Sequence, residues 1–132
     1  MKDSYLKRYP LSHLVAAAVV VLSLAPMHRL PPLPDVGLLD KWAHLVMYGA
    51  LSLTVWWEHT RRRPAPSWPA AAVGAMLLPA LLGGALELAQ AWLTTCRSGE
   101  WLDFVADCLG VLLGTLLAYG AWHMANRAKR KR

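Results

Sequence analysis

Apolar residues in this chain do not alternate with polar ones at the helical or the strand period. They run together in four blocks, over residues 11–27, 40–57, 69–95 and 101–122. A helix on the surface of a soluble protein keeps one face for water, and long stretches of these blocks keep none. Their lengths bracket the roughly 17–25 residues that cross a bilayer as a helix. Helix is the form expected, because lipid offers the backbone no hydrogen-bond partner. The pattern predicts an all-α integral membrane bundle of about four transmembrane helices, forming a single domain over residues 1–132. Pro79 lies inside the third and longest block, so a kink or tilt is expected there. Lys2, Lys7 and Arg8 ahead of the first block give it the look of a signal peptide. The stretch Leu24-Ala25-Pro26-Met27-His28 offers no small-x-small cleavage site, so that block is expected to remain as an anchor.

Charge adds an orientation. The N-terminal flank, the run Arg61-Arg62-Arg63 and the tail Arg127-Ala128-Lys129-Arg130-Lys131-Arg132 are strongly basic. The other two connections carry only His28 and Arg29, and Arg97. Basic loops stay in the cytoplasm, which puts both termini inside. The connections around Pro31-Pro32-Leu33-Pro34 and residues 95–100 then face outward. Trp56, Trp57, Trp68, Trp101 and Trp122 fall at span ends, as an aromatic belt would place them. The net charge of +6 has the sign that nucleic acid attracts. The basic residues flank spans and form no helical stripe, so topology and anionic lipid are the expected partners, and nucleic acid is not. Cys96 and Cys108 have neither metal-site spacing nor a disulfide framework, and Cys108 reads as a small packing residue. His13, His28, His59 and His123 lie near span ends or in loops, where the interface accounts for them.

Candidate chemistry sits where a membrane tolerates it least. An Asp or Lys at the centre of a spanning helix costs about 2.5–3.5 kcal/mol on insertion, against a gain of about 0.3–0.6 for a Leu. Yet Asp40, His44 and Tyr48 recur at four-residue intervals in the second block, with Lys41 beside them. Gly83, Glu87, Gln90 and Thr94 line up in the third, and Asp103, Asp107, Gly110 and Gly114 in the fourth. Residues three or four apart share a helix face, so each block carries one polar or small stripe expected to turn away from lipid. At 1.5 Å per residue, Glu87 lies about 12 Å below Thr95 and Tyr48 about 12 Å below Asp40. Asp103 and Asp107 lie about 3 Å and 9 Å below Trp101 by the same rise. With the topology above, the three stripes converge on the outer half of the membrane.

Plain structural readings account for part of this set. Gly110-x-x-x-Gly114 is a helix-packing pattern, and Gln90 and Tyr48 fit interhelical hydrogen bonds as well as a site. Asp40, Lys41 and Asp103 stand near span starts, where an acid also suits a helix N-terminus. Glu87 has no helix end nearby, and Asp107 is a full turn inside its block. Those two carry the expectation of a functional site.

Laid out in order, these residues resemble the VanZ-like membrane protein family. The resemblance rests on the segment Asp40-Lys41-Trp42-Ala43-His44-Leu45-Val46-Met47-Tyr48-Gly49-Ala50-Leu51 and on Glu87-Leu88-Ala89-Gln90. It continues through Arg97-Ser98-Gly99-Glu100-Trp101-Leu102-Asp103-Phe104-Val105-Ala106-Asp107-Cys108-Leu109-Gly110. Asp107 departs from the pattern, where many members place Asn, and adds an acid to the cluster. The match covers blocks two to four. It implies a multi-pass protein of the bacterial cell (inner) membrane, in a family whose founding member is associated with resistance to the glycopeptide teicoplanin.

Two classes of function follow. In one, the cluster binds or acts on an anionic lipid or a lipid-linked cell-wall precursor. Arg97 would then hold a phosphate, with Lys41, Asp40, Tyr48 and Gln90 lining the site. His44, Glu87, Asp103 and Asp107 would handle protons or a divalent cation. In the other, the protein is a non-enzymatic membrane factor whose polar network fixes helix packing or a partner interface. Arg97 and Lys41 cannot neutralise four carboxylates, so shared protons or a bound cation are expected in either case. Neither a nucleophile motif nor H-E-x-x-H occurs, so catalysis is not asserted.

Overall fold

The computed structural model describes residues 5–25, 36–63, 67–94 and 99–131, and among these it is all helix and turn, with no strand. A short turn, α1 (Tyr5–Arg8), leads into α2 (Pro10–Leu24), which begins on a proline whose missing N–H would have been unsatisfied in any case. Next comes α3 (Val36–Arg61), then α4 (Trp68–Ala72), a π-helical turn (Val73–Leu77) and α5 (Leu78–Leu93), and finally α6 (Trp101–Arg130).

Two helical stretches are long and apolar enough to cross a membrane: the continuous run Trp68–Leu93 and α6. At 26 and 30 residues they reach about 39 and 45 Å, against a hydrocarbon core of about 30 Å. The apolar α2 has 15 residues, a length of about 22 Å. The 26-residue α3 is long enough, but Asp40, Lys41, His44, Glu58 and His59 interrupt its apolar character. Helix α6 outruns its apolar block by two turns. Its last turn carries Arg127, Lys129 and Arg130, which suit the negative end of the helix dipole.

The irregularity expected at Pro79 takes the form of the π turn just before it. The Leu78 N–H reaches the Val73 carbonyl, five residues back. Pro79 has no N–H for the carbonyl of Ala75, four residues earlier. The Ser52 hydroxyl of α3 donates to that oxygen at 2.6 Å and lies 2.8 Å from the Thr115 hydroxyl of α6. One buried serine thus ties three helices where a proline interrupts the hydrogen-bond ladder.

Helix α3 is the axis of the bundle, in contact with α2, α4, the π turn, α5 and α6. It meets α6 backbone to backbone. A Cβ at Gly110 would collide with the Leu45 carbonyl, and one at Gly114 with the Gly49 carbonyl. The small-residue spacing therefore does the packing read from it. The apolar core is thin: Val19, Tyr48, Leu86 and Val111 in one cluster, and Trp56, Ala71, Ala75 and Ala118 in another. Much larger side chains face outward, among them Trp92 (81% exposed), Leu93 (79%) and Trp101 (73%). Inside lie Ser12, His44, Ser52, Glu58, Glu87, Gln90, Asp103 and Asp107. Water favours the opposite distribution. One tryptophan departs from the expected belt: Trp56 is buried and packs against Trp68 and Tyr119, while Trp57 beside it is half exposed.

Candidate functional site

The polar stripes of α3, α5 and α6 meet. From α3, His44 points its Nδ1 at the Asp107 Oδ1 of α6, 2.8 Å away, with Glu87 Oε1 of α5 at 3.8 Å. All three residues are buried, Asp107 completely. Glu87 is oriented from its other oxygen, which accepts the backbone N–H of Glu100 at 2.9 Å. This bond folds the chain entering α6 over the carboxylate, and the approach is so close that a Cβ at Gly99 would strike the Glu87 carbonyl. Space for Asp107 comes from α5, where a Cβ at Gly83 would lie 2.7 Å from Asp107 Oδ2.

One helical turn nearer the start of α3 and α6, Lys41 bridges two acids. Its Nζ is 3.0 Å from Glu100 Oε2 and 3.2 Å from Asp103 Oδ1. Asp103 is buried and Glu100 half exposed. The half-buried Asp40 brings a carboxylate oxygen within 4.8 Å of donor atoms on both His44 and Asp103. Two overlapping groups, Asp40–His44–Asp103 and His44–Glu87–Asp107, thus share one imidazole. Tyr48 lies below, fully buried, its ring stacked on that of His44 with centroids 6.4 Å apart.

Of the expected site residues, His44, Glu87, Asp103, Asp107, Lys41, Asp40 and Tyr48 therefore come together. Gln90 goes elsewhere: its amide donates to the Ser23 carbonyl at 2.7 Å, fastening α5 to the end of α2. Arg97 lies outside the described residues, as do Cys96, Ser98 and the segment Pro31-Pro32-Leu33-Pro34. Glu100 received no role from the sequence, although its place at the mouth of α6, facing the Lys41 end of α3, was a usable signal.

Several polar atoms of the cluster have no hydrogen-bond partner among the described residues: His44 Nε2, Tyr48 Oη, Glu87 Oε1 and Asp107 Oδ2. Buried polar atoms are nearly always paired, and leaving one unpaired costs roughly 1–3 kcal/mol. The His44–Asp107 contact is of the kind that holds an imidazole in one orientation. With Nδ1 donating to the carboxylate, Nε2 is left as an acceptor, so the pair can hold or pass a proton. Beside it, an apolar groove of about 280 Å³ runs between α3 and α6 past Leu38, Trp42, Leu45, Leu102 and Leu109, with Lys41 among its lining.

A second polar cluster lies near the other end of α3. The Glu58 carboxylate accepts the backbone N–H groups of Leu11 (3.1 Å) and Ser12 (3.0 Å) and the Ser12 hydroxyl (2.7 Å). It caps the start of α2 from a different helix, and the Tyr9 hydroxyl joins His59 Nδ1 at 3.0 Å alongside. His59, assigned above to the interface, is instead buried in this contact. A cavity of about 810 Å³ opens between α3 and α6 at this end, among Trp57, Arg61, Arg62, Arg63, Trp122 and Lys129.

Comparison of the chain with protein-family models, with curated proteins and with solved structures returned no match.

Proposed function

We propose that this chain is a VanZ-like, multi-pass protein of the bacterial cell membrane. Its cluster at the outer ends of α3, α5 and α6 takes up an anionic lipid or a lipid-linked cell-envelope precursor. The observation that carries this reading is the convergence of buried His44, Glu87 and Asp107 with polar atoms left without a hydrogen-bond partner among the described residues. A network kept only for packing has every reason to satisfy its own atoms. The inside-out distribution of side chains supports the bilayer as solvent, with α2 and α3 joining the two long apolar helices as further spans. Basic flanks on α1 and α6 and the run Arg61-Arg62-Arg63 support cytoplasmic termini. The groove beside Lys41 suits an acyl chain, with the Lys41 ammonium, already bridged to Glu100 and Asp103, at its edge to meet a phosphate.

The near-complete burial of His44 and Asp107 favours a second reading, in which the network fixes helix packing without a ligand. Lipid analysis separates the two. Wild type, Glu87→Gln and Arg97→Ala are purified in mild detergent and their retained lipids identified by mass spectrometry. An anionic species enriched on wild type and lost from both variants supports the site. Identical lipid profiles would leave the packing reading. Orientation is tested by cysteine labelling in intact cells, where position 32 should react from outside and position 62 should not. The glycopeptide link implied by the resemblance predicts a shift in teicoplanin susceptibility on deletion, measured as the inhibitory concentration.

A further inference from the structure

We propose that His44, Glu87 and Asp107 form a binding site for a divalent cation of the zinc class. The inference deepens the reading of the cluster as one site, on which it rests, and it does not depend on the identity of the lipid.

Donor geometry comes first. One ligand atom from each residue lies within 4.8 Å of the other two. A tetrahedral ion with bonds of about 2.0–2.1 Å sets its ligands roughly 3.3 Å apart. The distances from His44 Nδ1, 2.8 Å to Asp107 and 3.8 Å to Glu87, bracket that value. Small side-chain movements would therefore build the site, and no helix has to shift. Glu87 is already held for the task. Its Oε2 is fixed by the Glu100 N–H, which turns Oε1 toward the imidazole and leaves that oxygen unpartnered among the described residues. Such support from behind the ligand is a regular feature of metal sites.

Charge points the same way. Among the described residues, Lys41 serves Glu100 and Asp103, and one imidazole stands between Glu87 and Asp107. Two buried carboxylates sharing one histidine call for compensation by shared protons or by a cation, since buried charge persists only when compensated. A divalent cation replacing the proton between His44 Nδ1 and Asp107 Oδ1 provides that compensation. The donor set selects the ion. One nitrogen with two carboxylates suits zinc and its first-row neighbours, whereas magnesium and calcium prefer all-oxygen sites. Three protein ligands leave a coordination position open, the pattern of zinc sites that engage an outside molecule. Asp40 and Asp103 share His44 with the buried group, and the half-buried Asp40 offers a step on the way in from the surface.

Protein purified without chelator and freed of any affinity tag is assayed for bound metal. It is then stripped with EDTA and titrated calorimetrically with Zn²⁺ and with Mg²⁺, in buffers of different ionisation enthalpy. Zinc should occupy a single site, at least tenfold more tightly than magnesium, and release about one proton per ion. Glu87→Gln, which keeps an acceptor for the Glu100 N–H, should weaken zinc at least a hundredfold. His44→Ala should do the same, and His123→Ala at the far end of α6 should not. If His44→Ala fails to fold, Glu87→Gln decides. Zinc bound no better than magnesium, or equally well by Glu87→Gln and wild type, would overturn the site. Lipid retained by protein that fails to bind zinc would remove the cation and leave the lipid reading intact. Zinc bound without any retained lipid would do the reverse.

Discussion

Glu58 and Glu87 are both carboxylates less than a tenth exposed, near opposite ends of one helical bundle, and the bundle treats them differently. Both oxygens of Glu58 are engaged, by two backbone N–H groups and a hydroxyl at the start of α2. Among the described residues, only one oxygen of Glu87 is hydrogen-bonded, to the Glu100 N–H. Its other oxygen faces an imidazole that already contacts a second acid. The first arrangement completes itself from within the chain. The second gathers ionisable groups from three helices and leaves atoms without a hydrogen-bond partner among the described residues. Buried charge alone therefore does not separate the two ends of this molecule; the pairing of the two carboxylates does.

The sharpest way to break this contrast is at Glu58. Glu58→Leu removes the acceptor for the Leu11 and Ser12 N–H groups. At roughly 1–3 kcal/mol for each of the two stranded N–H donors, stability should fall by about 2–6 kcal/mol. Chemical denaturation in detergent measures the loss, and a variant as stable as wild type would refute the capping role.

Gly83→Ala comes next. It drives a methyl group against Asp107 Oδ2. The strain should cost about 1–3 kcal/mol, and zinc affinity should drop with it because Asp107 must move. Calorimetry and unfolding on one sample reveal both effects, and unaltered zinc binding would show that Asp107 is not a ligand.

Asp107→Asn keeps an acceptor for the His44 N–H and removes a charge. Metal-free protein should unfold within about 1 kcal/mol of wild type, since both residues can accept that bond. A larger loss would turn the His44–Asp107 pair into a structural ion pair, where breaking one side typically costs about 3–5 kcal/mol.

Tyr48→Phe is the mildest test. The Tyr48 hydroxyl is buried without a hydrogen-bond partner among the described residues. Its removal should leave stability unchanged or raise it by up to about 1 kcal/mol. A clear loss in thermal unfolding would reveal a partner and place Tyr48 among the self-completed contacts.

How far each end was legible in the sequence follows the same divide. The His44 cluster could be read because each helix repeats its polar residues at three- and four-residue spacing, and the cost of burying unpaired charge gathers such faces together. Asp40, His44, Glu87, Asp103 and Asp107 met as that argument requires. Gly110 and Gly114 could be read for a similar reason, since a helix face made of small residues lets another backbone approach. Glu58 was not legible. Its partners are main-chain N–H groups nearly fifty residues away, which carry no side-chain signature, and they matter only once α2 starts beside the end of α3. Trp56 was misplaced because a tryptophan near a span end suits the interface and an aromatic core equally well. Gln90 lies in phase with Glu87, and phase does not reveal that the end of α2 would be closer than the cluster. Pro79 announced an irregularity, but the relief of the Ala75 carbonyl by Ser52 depends on which helix packs opposite.

The most direct test sets Glu58→Gln beside Glu87→Gln in thermal unfolding of metal-free protein in EDTA. Glutamine at 58 turns an amide donor toward groups that are themselves donors. Glutamine at 87 still accepts from Glu100 and relieves an uncompensated charge. The account predicts a lowered Tm for Glu58→Gln and a Tm at or above wild type for Glu87→Gln. A Glu87→Gln protein that melts as far below wild type as Glu58→Gln would contradict it, and both carboxylates would then be structural.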